Sequence, residues 1–251
     1  MLLSDVDAHR GLINGITTIA EGDLTSYVSS ILDETPERVS VQVRAAAPAV
    51  VSQYGESASL SGALFYETQR PTPGPSVQLF TPSIGETLAA SLGWAMTPLF
   101  EPDKFEMGPA EALNRLSGVI QKHVALADRE TIAQAARHDK SSTGVVRFAR
   151  ASACSFCALM TSQQARGEHW HDNCKCVSVP TWDDVPAPES EAMTRFREAS
   201  DAARQLILDG RRAHPDYASM SNRKFLRKYP EYALNNKNLT RVMRAEHGFA
   251  H

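Results

Sequence analysis

No stretch of this chain approaches the roughly 20 consecutive apolar residues that a helix needs to span a bilayer, so no transmembrane helix is expected. Aromatic residues are scarce, at 7% of the chain, while alanine is plentiful. That balance favours helices packed through small side chains over a β-sandwich. The start, Met1-Leu2-Leu3-Ser4-Asp5, has neither the basic n-region nor the apolar h-region of a secretory signal. The expected setting is therefore the cytoplasm, where cysteines serve as thiols or metal ligands rather than as disulfides. Also missing are a Walker A loop, a dinucleotide-binding fingerprint, a G-x-S-x-G elbow and an H-E-x-x-H pair. The commonest signatures of nucleotide-binding, esterase and zinc-protease chemistry are thus absent.

What is present is an ordinary globular composition, 42% hydrophobic and 22% charged over 251 residues, enough for one large or two small domains. The net charge is only -3, but it is unevenly spread. Residues 1–140 sum to -7, residues 141–188 to zero and residues 189–251 to +4. An acidic front and a basic tail suit contacts with different partners, or solvated helix faces. In the tail, Arg211, Arg212, Arg223, Lys224, Arg227 and Lys228 are the candidate partner-binding cations.

Hydrophobic periodicity organises most of the chain into helices. Residues 4–34 read as helical, with Ser4 as an N-cap candidate and a break expected near Gly22-Asp23. Pro36 opens a second helical segment reaching residue 69. Val39, Val43, Ala46, Val50 and Tyr54 form its face, extended by Leu60, Leu64 and Phe65. Arg70-Pro71-Thr72-Pro73-Gly74-Pro75 breaks the pattern as an extended linker. A helix over 84–96 stacks Leu88, Leu92 and Met96. A longer one, opened by Pro109 and ending near His138, carries Leu113, Leu116, Ile120, Val124 and Ala127. Short strands are expected at 145–149 and 176–180. Beyond them, a helix over 189–212 bears Met193, Phe196, Ala199, Ala203 and Ile207, and short helices are expected near 221–228 and 238–246. Trp94 reads as helix packing. His9, His123, His138 and His214 read as surface or helix-end residues. The fold expected is mainly α: a helical region at 1–140, a small α+β Cys/His module at 141–188 and a helical basic region at 189–251.

All four cysteines fall within 23 residues, as Cys154-x2-Cys157 and Cys174-x-Cys176, with His169 and His171 just ahead of the second pair. Zinc takes four soft or borderline ligands in a tetrahedron, and 16 residues between the pairs is zinc-ribbon-like spacing. The candidate ligands are Cys154 and Cys157 with two of His171, Cys174 and Cys176. Such a site would be structural Zn²⁺, stapling a segment too small for its own core, with Phe156, Leu159, Met160 and Trp170 as the apolar filling. Buried free thiols or late disulfides are the bland alternative, and catalysis or redox chemistry the third. A zinc deaminase order is excluded, because Glu168 and both histidines follow the C-x2-C rather than precede it.

The segment Ala153-Cys154-Ser155-Phe156-Cys157-Ala158-Leu159-Met160 resembles the A-C-x-F-C-A-M-L stretch of minor capsid proteins from phages of actinobacteria. His171-Asp172-Asn173-Cys174-Lys175-Cys176-Val177-Ser178-Val179-Pro180 resembles the H-x-N-C-x-C-x-x-x-P ending of the same motif. More distantly, both halves are similar to the closing signature of the head morphogenesis family typified by the F protein of phage Mu. The resemblance covers about residues 145–182. The loop before His171 departs from it, with Gln163-Gln164-Ala165-Arg166-Gly167 where relatives carry a serine-arginine-glycine turn.

The resemblance implies a low-copy structural protein of the virion, inside the capsid, made in the host cytoplasm and active in head assembly near the portal. Its implied partners are the portal or major capsid protein. The basic tail adds packaged DNA as a candidate partner, and the lack of a long apolar run makes a membrane unexpected. An enzymatic role is not expected. The alternatives are a capsid maturation protease or other hydrolase using His169 or His171, since catalytic triads are spatial rather than sequential, and a zinc-stapled nucleic-acid-binding protein.

Overall fold

The computed structural model describes the whole chain except residues 82–84, 102, 106, 151, 163–173 and 250–251. The described residues are mainly α-helical, with eight α-helices and one two-stranded sheet. They divide into two compact units, Met1–Val145 with Gly167–Ala187, and Val146–Arg166 with Pro188–His251. The cysteine-bearing segment 141–188 is shared between the two.

The first unit is built on four helices: α1 (Leu3–Ser29), α2 (Pro36–Gln69), α3 (Glu86–Phe100) and α4 (Gly108–His138). Helix α4 is the common partner, packing on α1, α2, α3 and the strand β2 (Val177–Trp182). The expected stripe on α4 is its core face, with Leu116, Ile120, Val124 and Ala127 fully buried. On α3, Leu88, Leu92 and Met96 are buried as their spacing predicts. Strand β1 (Ser142–Phe148) pairs with β2. Both strands run a few residues from their expected positions.

Several expectations about the first two helices are corrected. Helix α1 begins at Leu3, not after Ser4, and Asp5 in its first turn accepts the Leu2 N–H at 3.2 Å. It also continues through Gly22 without a break, because Ala20, Leu24 and Val28 carry its buried face past that point. On α2 the buried positions include Val39, Val43, Ala47, Val51, Gly55 and Ala58, and Phe65 as expected. Leu60 and Leu64 are instead about half exposed, at 52% and 55%. The reason is close helix packing. A Cβ at Gly62 would lie 2.8 Å from the Asp128 carbonyl oxygen, so α2 meets α4 through small residues, and the larger leucines face away.

Two histidines expected at the surface are buried instead. His9 is 5% exposed, stacks on Phe65 with centroids 4.1 Å apart, and lies 3.0 Å from Asp128 through Nε2. His123, also 5% exposed, lies 3.5 Å from Ser91 Oγ. Trp94 is the opposite case. It is half exposed, with the Arg115 guanidinium 4.7 Å over its ring.

The second unit holds α5 (Ser155–Ser162), α6 (Glu191–Ala213), α7 (Asn222–Lys228) and α8 (Asn236–His247). Ser190 caps α6, accepting the Met193 N–H at 3.2 Å. Asn235 caps α8 in the same way from Asn238, at 2.9 Å. The expected face of α6 is buried at Met193, Phe196, Ala199, Ala203 and Ile207. Helices α5 and α8 pack on α6 and on each other, with Arg244 of α8 donating to Ser155 Oγ at 2.7 Å. A cluster of rings, His214, Phe225, Tyr229 and Tyr232, fills the end of the unit.

Candidate metal centre

In the second unit, Cys154 stands just ahead of α5 and Cys157 in its first turn. The Cys154 carbonyl accepts the Ala158 N–H at 2.9 Å, and its sulfur accepts the Cys157 N–H at 3.5 Å. The C-x2-C spacing thus folds into a single turn, as a two-sulfur chelate needs. Cys154 is half-buried and Cys157 is buried. The Arg147 side chain, 1% exposed, places Nη1 3.9 Å from the Cys157 sulfur. A buried guanidinium there would offset the negative charge of a thiolate, were Cys157 to take a metal.

In the first unit, Cys174 and Cys176 are 1% and 3% exposed and lead directly into β2. Their carbonyls are held from α4. Gln121 Nε2 donates to the Cys174 carbonyl at 2.7 Å. Arg129 donates from Nη2 to the same carbonyl at 2.6 Å, and reaches the Cys176 carbonyl from Nε at 3.1 Å and from Nη2 at 2.8 Å. Carbonyls two residues apart point the same way when the chain is extended, and side chains two apart then share a face. Gln121 and Arg129 are eight residues, about two turns, apart on one face of α4.

None of the four cysteines forms a disulfide. Cys157 in the second unit is buried, as are Cys174 and Cys176 in the first. His171, the fifth predicted ligand, lies outside the described residues, as do His169, Trp170 and the loop 163–167.

Of the six tail cations, five are exposed and Arg211 is not. Arg211 is 8% exposed and donates to the Tyr232 carbonyl at 2.7 Å, which makes it part of the unit's interior. Lys224, Arg227 and Lys228 line a cavity of about 480 Å³ with Ser219, Met220 and Ser221. Lys228 also pairs with Asp216 at 2.7 Å, and this contact, with the Tyr229 hydroxyl, holds the Asp216 carboxyl below the ordinary carboxylate range.

Sequence reasoning missed Gln121 and Arg129, and also a Ser–His–Asp grouping: Ser61 Oγ lies 3.5 Å from His9 Nδ1, and Asp128 lies on the other ring nitrogen. Ser61 is 6% exposed inside the long helix α2, where backbone N–H groups are spent on helical hydrogen bonds and cannot stabilise an oxyanion.

A protein-family model described as VG15 protein matches residues 3–200. The chain belongs to the VG15 protein family. That family is one of viral, phage-type gene products. The VG15 match takes in both cysteine pairs, Arg129 and Gln121, and ends within α6. The exposed tail cations lie beyond it. No curated protein and no solved structure matches the chain. Among the described residues no helix is long and apolar enough to cross a membrane.

Proposed function

We propose that this VG15 protein is a minor head protein of a tailed phage, a structural component present in few copies that assists capsid assembly beside the portal. The observation that carries the reading is the two-part cysteine motif, Cys154-x2-Cys157 followed by Cys174-x-Cys176, inside the region matched by a family of phage gene products. Its resemblance to minor capsid proteins supplies the finer role. The proposal includes a structural Zn²⁺ held by the cysteine thiols, with His171 as the alternative fourth ligand. Mostly buried cysteines outside any disulfide support it.

Charge supports a two-partner role. The first unit carries 11 Lys+Arg against 21 Asp+Glu, a net of -10, and the second 15 against 8, a net of +7. An acidic body repels DNA, while exposed Arg212, Arg223, Lys224, Arg227 and Lys228 suit a phosphate backbone or an acidic protein face. Co-expression with the portal and major capsid proteins of the same genome tests the role. The tagged chain is expected to co-purify with the portal. Loss of that association above moderate salt in a variant with Arg223, Lys224 and Arg227 changed to Gln would assign the contact to the basic surface. Failure to associate with portal, capsid protein or DNA at any ionic strength would overturn the reading.

A further inference from the structure

We propose that Arg129 and Gln121 are positioning residues of the metal centre, a polar clamp on α4 that presets Cys174 and Cys176 as a two-sulfur chelate for a thiophilic divalent cation. The inference rests on the metal-binding part of the proposed function and deepens it.

The clamp is unusual in cost and in aim. Arg129 and Gln121 are each 2% exposed. A guanidinium stripped of water loses several kcal/mol of hydration unless its N–H groups are matched. Arg129 directs three hydrogen bonds, at 2.6, 2.8 and 3.1 Å, onto the carbonyls of the two cysteines flanking Lys175. Gln121 adds a fourth, at 2.7 Å. Four bonds to two peptide groups fix both orientations, and with them the directions of the Cys174 and Cys176 side chains.

Ordinary strand pairing would satisfy those carbonyls without burying a cation. The cation is explained by what the sulfurs become. On taking a divalent metal, each thiol releases its proton to water and stays as a thiolate. No electron is transferred. Two thiolates bring two negative charges into a buried place, and Arg129 already supplies a positive one there. Groups that orient metal ligands from behind typically change metal affinity about 10- to 100-fold when removed.

The full-length chain, purified without chelator, then stripped and titrated with Co²⁺ followed by Zn²⁺, provides the test. Wild type should bind one Co²⁺ with the sulfur-to-metal charge-transfer absorption of thiolate ligation, displaced by Zn²⁺. Arg129→Met and Gln121→Leu should each weaken binding about 10- to 100-fold and alter the ligand-field bands. Arg129→Lys should recover part of the affinity, because it restores the charge but not the fork. Far-UV circular dichroism checks that each variant is folded, and Gln121→Leu, which removes no charge, serves if Arg129→Met is not. A folded Gln121→Leu or Arg129→Met chain with wild-type affinity and an unchanged cobalt spectrum would overturn the clamp alone. Wild type that takes up neither metal would overturn the metal centre itself, and the clamp with it.

Discussion

Removing the Asp128 carboxylate tests whether the first unit is held by the pair described above. Asp128 and His9 have side-chain exposures of 0% and 3% and stand 3.0 Å apart. In Asp128→Ala the imidazole stays in place, closed in by Phe65, without its ion-pair partner. An orphaned buried polar group costs about 1–3 kcal/mol, and breaking a buried ionised pair about 3–5 kcal/mol. The expected loss is therefore about 3 kcal/mol, which for a unit of this size lowers Tm by roughly 6–12 °C. Tryptophan fluorescence during urea unfolding follows this unit, since Trp94 and Trp182 both belong to it. His9→Ala, and the double variant, complete the cycle. A coupling near 1 kcal/mol or more is expected for residues in contact. A loss under about 0.5 kcal/mol in Asp128→Ala, against the 1–3 kcal/mol expected of an orphaned group, or additive single effects, would refute the reasoning.

Three further perturbations probe the same unit. Asp139 accepts from Ser141 N and Oγ at 2.9 and 2.6 Å and from the Tyr66 hydroxyl, and forms an ion pair with Arg70; burial opposes its ionisation, but these contacts outweigh it and hold the carboxyl below its ordinary value. Its contribution is present above the unfolded carboxylate pKa of about 3.9 and is lost as pH falls through the lower folded value, so Asp139→Asn should flatten the acid limb of the stability curve measured by urea midpoints. Burial pushes the Tyr66 hydroxyl up to about 12; stability should fall as pH rises from about 10 towards that value, and Tyr66→Phe should remove this alkaline loss in thermal melts. Gly62→Val, which drives a side chain into Asp128 backbone, should cost about 1–3 kcal/mol by the same fluorescence assay, whereas Gly15→Val meets open space and should cost less.

Where large apolar residues recur at helical spacing, the sequence was legible. The stripes of α3, α4 and α6 are buried as read, save Leu113, which is partly buried, and the Pro-rich stretch at 70–75 lies outside helix. The reading failed where buried positions are polar or small. The buried face of α1 includes His9 and Thr17, which hides its continuity, and a glycine at its exposed side then looks like a break. On α2, Gly55, Ala58 and Gly62 line the core side while Leu60 and Leu64 stay out, because close backbone approach selects small residues over apolar ones. The cysteine pairs were visible because chelate spacing is local. Arg129 was not, because its hydrogen bonds reach 45 and 47 residues along the chain, and an isolated arginine on a helix reads as surface. The polarity of the two units was muted as well. The second takes in Arg147 and Arg150 from the middle of the chain, which no contiguous division of the sequence groups with the tail.

Quantitative peptide mass spectrometry of gradient-purified particles tests the central claim most directly. Peptides of this chain should be present in intact virions, at a few copies per particle and far below the major capsid protein. Their absence from particles whose portal and capsid peptides are fully represented would contradict a minor head protein.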